Sequence, residues 1–382
     1  MPPTQSPDNE LLKSQLVGLT RDLVLIESTD AKPEERHRCF QLVRNHLDEV
    51  PRLNLKTYES FGYESLVALP EGIDIPAILF CAHLDVVEHS GPEHYRSKIE
   101  EGRIYGPGSG DMKGALAIIL TLFRHLLREL PGASLGLAIT SDEERGGEHG
   151  ARFLVEEIGL RAGSVIIPDG GSIDRITVEE KGILHLRVKA NGEAAHAARP
   201  WFGRNPIPTL IAALKRLEER FDSFLESGHP NGSLDDDDHW YPTCTVTGIV
   251  SPHESVNCIP DWATANLDIR FPPPHTAESV LREVTQSLGE SVQVEKIIGA
   301  EPTHLDPDPV FRNATEEVLQ REPRLVRVSG GSDARFFREY RIPVMLSRPI
   351  VGNLHGQNEW IDIQSMVDYY RICERYIKDS LH

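Results

Sequence analysis

Short apolar runs recur along this chain, and helical patterns separate them. The runs at 78–82, 135–140, 165–168 and 343–346 are bounded by turn residues, and the stretch 111–130 has a long helical pattern. Runs of this length between helices indicate buried parallel strands. The pattern therefore predicts an α/β domain with a mostly parallel sheet flanked by helices.

Acidic residues and histidines follow these apolar runs. They are His83 and Asp85, Glu143 and Glu144, Asp169, and His355. In open α/β sheets, ligands bind in the crevice outside the carboxyl ends of the strands. The sequence therefore predicts a metal and its chemistry at that edge of the sheet.

The pattern changes near residue 182. A half-exposed alternating strand is followed by further elements in the order β-α-β-β-α-β, at 183–190, 208–224, 244–250, 263–271, 277–288 and 292–297. This order is typical of a ferredoxin-like α+β sandwich. The first pattern returns after about residue 299. We therefore predict a catalytic domain formed by 1–181 and 298–382, with a smaller domain of 182–297 inserted into it.

Composition and charge argue against nucleic-acid binding and against a membrane protein. The chain has 382 residues, enough for two domains, and its net charge of -19 argues against nucleic-acid binding. Its apolar runs are shorter than the ~18–20 residues of a membrane helix. The first ten residues lack the pattern of a secretory signal, and the five cysteines are scattered. We therefore expect a cytoplasmic enzyme without a membrane partner.

Each motif alone has a simpler interpretation. His83 and Asp85 match a common surface pair, and Asp111, in the glycine-rich turn 108–114, matches a helix cap. That turn lacks the GxxxxGK[ST] pattern of a phosphate-binding loop. Adjacent acids on a loop are usually solvated. At the end of a buried strand, however, Glu143 and Glu144 would diverge, so one can bind metal while the other acts as a general base.

Taken together and in order, these segments resemble the M20 family of zinc aminoacylases and peptidases. The segments are AHLDVV (82–87), GSGDMKG (108–114), TSDEERGG (140–147), PDGG (168–171), AAHAARP (194–200), SVNCIPD (255–261), LDIRF (267–271), GGSDARF (330–336) and LHGQNEWI (354–361).

The resemblance implies two zinc ions and a metal-activated water. It implies that His83 and Asp169 bind one ion, that Glu144 and His355 bind the other, that Asp111 bridges both, that Glu143 is the general acid/base, and that Asp85 orients His83. It also implies a cis peptide bond after Asp111. Cobalt or manganese could substitute for zinc, because ligands of this type do not discriminate sharply among these ions.

The resemblance further implies a homodimer formed through the inserted domain. His196 would then stabilise the oxyanion at the site of a partner subunit. The residues expected to hold the substrate are Asn257, Arg270, Gly331, Ser332 and Arg335.

The expected reaction is hydrolysis of an amide bond in an N-acyl amino acid or small peptide. Deacylases of the family usually have Glu where this chain has Asp169, whereas its dipeptidases and aminopeptidases usually have Asp. A dipeptidase or aminopeptidase is therefore the alternative. Two remoter alternatives are a metal-free binding or scaffold protein and a two-metal phosphoesterase, which would be expected to have more His and Asn ligands and basic groups for phosphate.

Overall fold

Helices and the strands of one mixed sheet lie in the first and last parts of the chain, and the strands of an antiparallel sheet lie in its middle. The computed structural model describes residues 9–89, 91, 94–225, 236–252 and 255–381. The helices in this part are α1 (Asn9–Val24), α2 (Pro33–Leu47), α3 (Gly114–Glu129), α4 (Ala151–Glu156), α5 (Pro206–Leu225), α6 (Ala277–Leu288), α7 (Pro309–Leu319), α8 (Ala334–Glu339) and α9 (Ile363–Ser380). The strands are β1 (Leu53–Ser60), β2 (Tyr63–Pro70), β3 (Ile78–His83), β4 (Lys98–Glu100), β5 (Arg103–Tyr105), β6 (Leu135–Thr140), β7 (Ser164–Ile167), β8 (Arg175–Glu180), β9 (Gly182–Asn191), β10 (Ala195–His196), β11 (Thr243–Val250), β12 (Cys258–Ile259), β13 (Trp262–Phe271), β14 (Gln293–Ala300), β15 (Thr303–His304), β16 (Arg324–Val328), β17 (Val344–Leu346), β18 (Val351–Gly352) and β19 (Trp360–Asp362).

The chain divides into two units. The first comprises the chain up to Val178, Leu305–Val326, and the chain from Ser332 onwards. The second comprises Glu179–His304 and Arg327–Gly331. The chain thus leaves the first unit and returns to it, so residues far apart in sequence can share one site.

A six-stranded sheet lies at the centre of the first unit, with strand order β1-β2-β6-β3-β7-β17. Strands β6, β3, β7 and β17 run parallel, whereas β1 and β2 are antiparallel neighbours at one edge. Every residue of the four parallel strands is buried, as expected for a parallel sheet covered on both faces. Their carboxyl ends all lie at the same edge of the sheet.

Helix α3 is the most deeply buried helix of this unit. All ten residues from Gly114 to Phe123 are buried, and the apolar side chains among them join the main hydrophobic core with α9 and the sheet. The sequence pattern predicted a helix from residue 111, but α3 begins at Gly114 because Asp111 and Met112 have non-helical backbone angles. A second, antiparallel sheet of order β18-β19-β5-β4 brings the segment after β17 beside the segment before α3.

The second unit is an α+β sandwich. Its sheet has the order β11-β13-β9-β14, with all neighbours antiparallel, and helices α5 and α6 pack against it. Buried and exposed residues alternate along β9 and β13, which is typical of a sheet with one covered face. The predicted fold class, α/β with an inserted ferredoxin-like domain, is confirmed.

None of the described helices is long and apolar enough to cross a bilayer.

Candidate metal centre

The carboxyl ends of the parallel strands bring the predicted ligands together. His83 is the last residue of β3 and lies opposite Thr140 at the end of β6. Glu143 and Glu144 follow in a short helical turn after β6, and Asp169 lies two residues beyond β7. Neighbouring strand ends thus direct these side chains into the same crevice.

Asp111 lies between two imidazoles. Its Oδ1 is 3.2 Å from Nε2 of His83, and its Oδ2 is 3.4 Å from Nε2 of His355. The peptide bond from Asp111 to Met112 is cis, as the resemblance implies. One carboxylate therefore faces a histidine on each side, which is the arrangement that a bridging ligand requires.

The remaining acids complete two groups of possible ligands. Ligand atoms of Asp111, Glu144 and His355 all lie within 4.8 Å of one another, and so do those of His83, Glu143 and Asp169. Nε2 of His83 lies 3.9 Å from Asp169 and 4.0 Å from Glu143. Glu143 therefore lies close enough to serve as a ligand or as a base beside a ligand, and its assignment as general acid/base stays a prediction.

Asp85 contacts two parts of the site. Nδ1 of His83 lies 3.1 Å from the backbone carbonyl of Asp85 and 3.5 Å from its Oδ1. The other oxygen, Oδ2, accepts a hydrogen bond of 3.0 Å from the backbone N–H of Glu144. The closest contact orienting His83 is thus with the backbone of Asp85 rather than with its carboxylate.

Burial and mutual repulsion govern the protonation of the carboxylates. Burial raises the pKa of Glu143 and of Asp169 well above their usual ranges, and each is raised further by a neighbouring acid. Burial also raises the pKa of Glu144. Burial acts to raise the pKa of Asp111 as well, but hydrogen bonds from His355 and His83 outweigh it and lower that pKa. The ionised forms of Glu143, Glu144 and Asp169 are therefore disfavoured unless a positive charge lies among them.

Neighbouring carboxylates raise the pKa of both imidazoles. Burial alone would lower the pKa of His83, but Asp111 and Asp85 raise it well above its usual value. Hydrogen bonds to Asp111 and Glu144 raise the pKa of His355 to about 11. Bound cations would take the place of these protons, because a metal requires neutral imidazole and ionised carboxylate ligands.

These residues suit a pair of divalent cations. The buried Oε1 of Glu144 has no hydrogen-bond partner among the described residues, so it remains able to act as a ligand. Imidazole nitrogens with carboxylate oxygens are ligands that zinc accepts, and manganese and cobalt tolerate them too. Clustered carboxylates are stabilised when a cation lies among them. The observed donors thus fit the metals that the sequence predicted.

The predicted substrate-binding residues and His196, the predicted oxyanion donor, are divided between the two units. Arg335 and Ser332 belong to the first, where Nη2 of Arg335 donates a 2.6 Å hydrogen bond to the carbonyl of Gly146, beside the turn that carries Glu143. His196, Asn257, Arg270 and Gly331 belong to the second. There both carboxylate oxygens of Asp268 accept hydrogen bonds from Arg270, through its Nε and Nη2.

Two residues at the site were not predicted. Arg348 lies just after β17, with its Nη1 3.6 Å from Oδ1 of Asp169. Glu359 is buried and accepts hydrogen bonds from the turn that carries Asp111. Both could have been found, because Arg348 follows a buried strand just as the acidic ligands do and Glu359 lies in the same short motif as His355.

Sequence comparison identifies relatives of this chain. Residues 79–379 match a family described as peptidase family M20/M25/M40. Succinyl-diaminopimelate desuccinylase of Parvibaculum lavamentivorans is 30% identical over 326 residues, which cover 78% of this chain and 80% of that protein. The enzyme of the same name from Caulobacter sp. is 29% identical over 343 residues, covering 83% and 84%.

Structural comparison finds the same fold at lower identity. Human carnosine dipeptidase 1 superposes with a TM-score of 0.77 at 19% identity, covering 98% of both chains. The M20 family metallo-carboxypeptidase Sso-CP2 from Sulfolobus solfataricus gives 0.76 at 19% identity, covering 96% of this chain and 99% of that one. These similarities concern the fold alone.

Proposed function

This chain belongs to peptidase family M20/M25/M40 and is a hydrolase of amide bonds, and from that premise we propose that it removes the acyl group of an N-acyl amino acid. The observation that carries the proposal is the position of Asp111, whose two oxygens face His83 and His355 at 3.2 and 3.4 Å. The desuccinylases among its relatives support the N-acyl substrate.

We propose zinc as the metal, with two ions in each subunit and with cobalt or manganese as possible substitutes. His83 and Asp169 would hold one ion, Glu144 and His355 the other, and Asp111 both. When bound, the ions polarise the substrate carbonyl and lower the pKa of water. The mixed nitrogen and oxygen donors support this assignment.

In the proposed reaction, the carboxylate of Glu143 accepts a proton from water as the water oxygen bonds to the carbonyl carbon. Glu143 then delivers that proton to the leaving nitrogen as the C–N bond breaks, and a carboxylic acid and an amine result. Burial raises the pKa of Glu143 well above its usual range, which favours uptake of a proton by this carboxylate and supports the role. Asp85 would keep His83 oriented through the contacts described above.

We propose that His196 donates a hydrogen bond to the oxyanion. Its side chain is exposed, and its Nδ1 accepts a 3.1 Å hydrogen bond from the backbone N–H of Ala198. The proton of a neutral imidazole then resides on Nε2, which makes that atom a donor. Asn257, Arg270, Gly331, Ser332 and Arg335 remain the proposed substrate-binding residues.

We also propose a homodimer formed through the domain of 182–297, in which His196 serves the partner's site. Strand β11 lies at the edge of its sheet and has three exposed apolar residues, Val246, Ile249 and Val250. An apolar edge strand is able to pair with another chain, which supports this proposal. A cytoplasmic location is proposed from the five cysteines, which all carry free thiols.

A second candidate is a dipeptidase or aminopeptidase. It is favoured by Asp169, which replaces the Glu expected of a deacylase. A panel of N-succinyl, N-acetyl and N-formyl amino acids and dipeptides, assayed for released amine with added zinc or cobalt, distinguishes the two. We expect N-acyl amino acids to give the higher kcat/KM, with Glu143→Gln as the inactive control. Faster release from dipeptides would favour the second candidate, and release of phosphate from phosphoesters, with none of amine, would overturn both.

A further inference from the structure

Glu359 is a buried acid outside the set of proposed ligands. Only 2% of its surface is exposed. Its Oε1 accepts hydrogen bonds of 2.8 Å from the backbone N–H groups of Gly110 and Asp111, and its Oε2 accepts one of 3.0 Å from Gly108. One carboxylate thus binds three N–H groups of the turn from which Asp111 projects.

This turn depends on Glu359 because its backbone is not helical. Gly108, at the start of the turn, has a left-handed backbone, so no preceding helical turn supplies carbonyls to all of the first N–H groups. Buried N–H groups need acceptors, and the two carboxylate oxygens of Glu359 accept from three of them. The backbone N–H of Asp111 is therefore fixed from one side, while its carboxylate faces two imidazoles on the other.

Glu359 also connects this turn to the second histidine. It lies four residues after His355 and directly before β19. The two segments are in close contact: a Cβ at Gly110 would lie 2.8 Å from Leu354 and 3.2 Å from the carbonyl of Trp360. Displacement of the Glu359 carboxylate would therefore alter the position of Asp111 relative to His355.

We propose that Glu359 is a positioning residue for the metal centre, which holds the Asp111 carboxylate at the spacing that two cations require. The proposal rests on the proposed two-metal function. A positioning role differs from a merely structural role, in which Glu359 would only stabilise a buried turn. The difference is measurable because positioning acts on metal affinity and on the ligand field.

The test uses the full-length chain with Glu359→Ala and Glu359→Gln. Alanine removes all three acceptor contacts. Glutamine retains one acceptor oxygen, so at least one N–H group of the turn would face an amide N–H instead. Asp362→Asn is the matched control, because Asp362 is a carboxylate three residues away that accepts a 2.7 Å hydrogen bond from the backbone N–H of Ser365, at the start of α9.

The measurements are circular dichroism, zinc stoichiometry and affinity by chelator competition, and the visible spectrum of the cobalt-loaded protein. Loss of a residue that orients metal ligands typically weakens metal binding about 10–100-fold. We expect Glu359→Ala to lose affinity for at least one zinc by roughly that factor and to change the cobalt spectrum. Glu359→Gln should show a smaller change in the same direction, and Asp362→Asn should bind metal as the wild type does.

Three results would overturn the proposal. A folded Glu359→Ala protein with two zinc ions at wild-type affinity and an unchanged cobalt spectrum would show that Glu359 does not position the ligands. Failure of both variants to fold, while the metal-free wild type folds, would show a structural role instead. Wild-type protein that binds fewer than two zinc ions would refute the two-metal function itself. This result concerns the wild type alone, so it is distinguishable from the two results that concern the role of Glu359.

Discussion

Glu143 and Glu144 are consecutive residues with different surroundings. Oε2 of Glu144 lies 3.3 Å from Nε2 of His355, whereas Glu143 lies 4.0 Å from His83. The divergence that the sequence predicted for two adjacent glutamates is therefore present. Each side chain is directed toward a different histidine, so substitution of each should have a different effect.

Glu143→Gln should leave the fold and metal content intact and lower kcat by roughly 10²–10⁴-fold, because the amide can neither accept nor deliver the proton. The measurements are steady-state kinetics and elemental analysis of the purified protein. Glu144→Gln is the matched variant, and it should lose metal as well as activity. Normal turnover in metal-loaded Glu143→Gln would remove Glu143 from the proposed role.

Helix α6 begins with a reciprocal pair of side-chain hydrogen bonds. Oγ1 of Thr276 accepts from the backbone N–H of Ser279, and Oγ of Ser279 accepts from that of Thr276. Thr276→Ala should lower the free energy of unfolding by about 1 kcal/mol, because the helix loses this cap. Urea denaturation measures the change. Thr285 lies at an exposed position in the middle of the same helix, so Thr285→Ala should change the free energy of unfolding little. Equal losses at both positions would contradict the capping argument.

Helix α2 contains a histidine that folding keeps neutral. Burial lowers the pKa of His46 to about 4, and Arg124 lowers it too. An unfolded histidine has a pKa near ~6.5, so the unfolded chain binds the extra proton between these values. Stability from His46 is therefore complete above about pH 6.5 and is lost as the pH falls to about 4.

His46→Gln should reduce this loss of stability. We expect the metal-free variant to lose about 1–2 kcal/mol less than the wild type between pH 7 and pH 4.5, a figure discounted because His46 is partly exposed. Urea denaturation at the two pH values measures it, with His37→Gln, on the exposed side of α2, as the control. Identical pH dependence in His46→Gln and the wild type would refute the argument.

At the scale of the whole molecule, the proposed dimer has a direct test. Glu143→Gln disables a site from within, and His196→Ala removes the proposed oxyanion donor. If His196 serves the partner's site, a mixed dimer has one site with both groups intact, so mixing the inactive variants should restore part of the activity. Light scattering and a tagged-subunit assay would verify dimerisation and exchange. Activity that stays absent after confirmed exchange would refute action across the dimer.

The sequence was most informative where local pattern determines structure. Buried parallel strands are continuous apolar runs, so the positions of His83 at the end of its strand, and of Glu144 and Asp169 just beyond theirs, could be predicted. Contacts between distant segments were harder to predict. Asp111 was assigned to the start of a helix, but its turn adopts another backbone shape around Glu359, which is 248 residues away. Periodicity within one segment cannot reveal an acceptor supplied by another segment.

His355 differs from His83 in one respect that bears on how the enzyme would respond to its environment. It lies on left-handed backbone, with φ of +59°, and 53% of its side chain is exposed, against 1% for His83. An ion held by His355 would therefore exchange with the surrounding solution faster than an ion held by His83. A chelator added to the protein would then remove the ion at His355 before the ion at His83, so the two positions would lose metal in sequence.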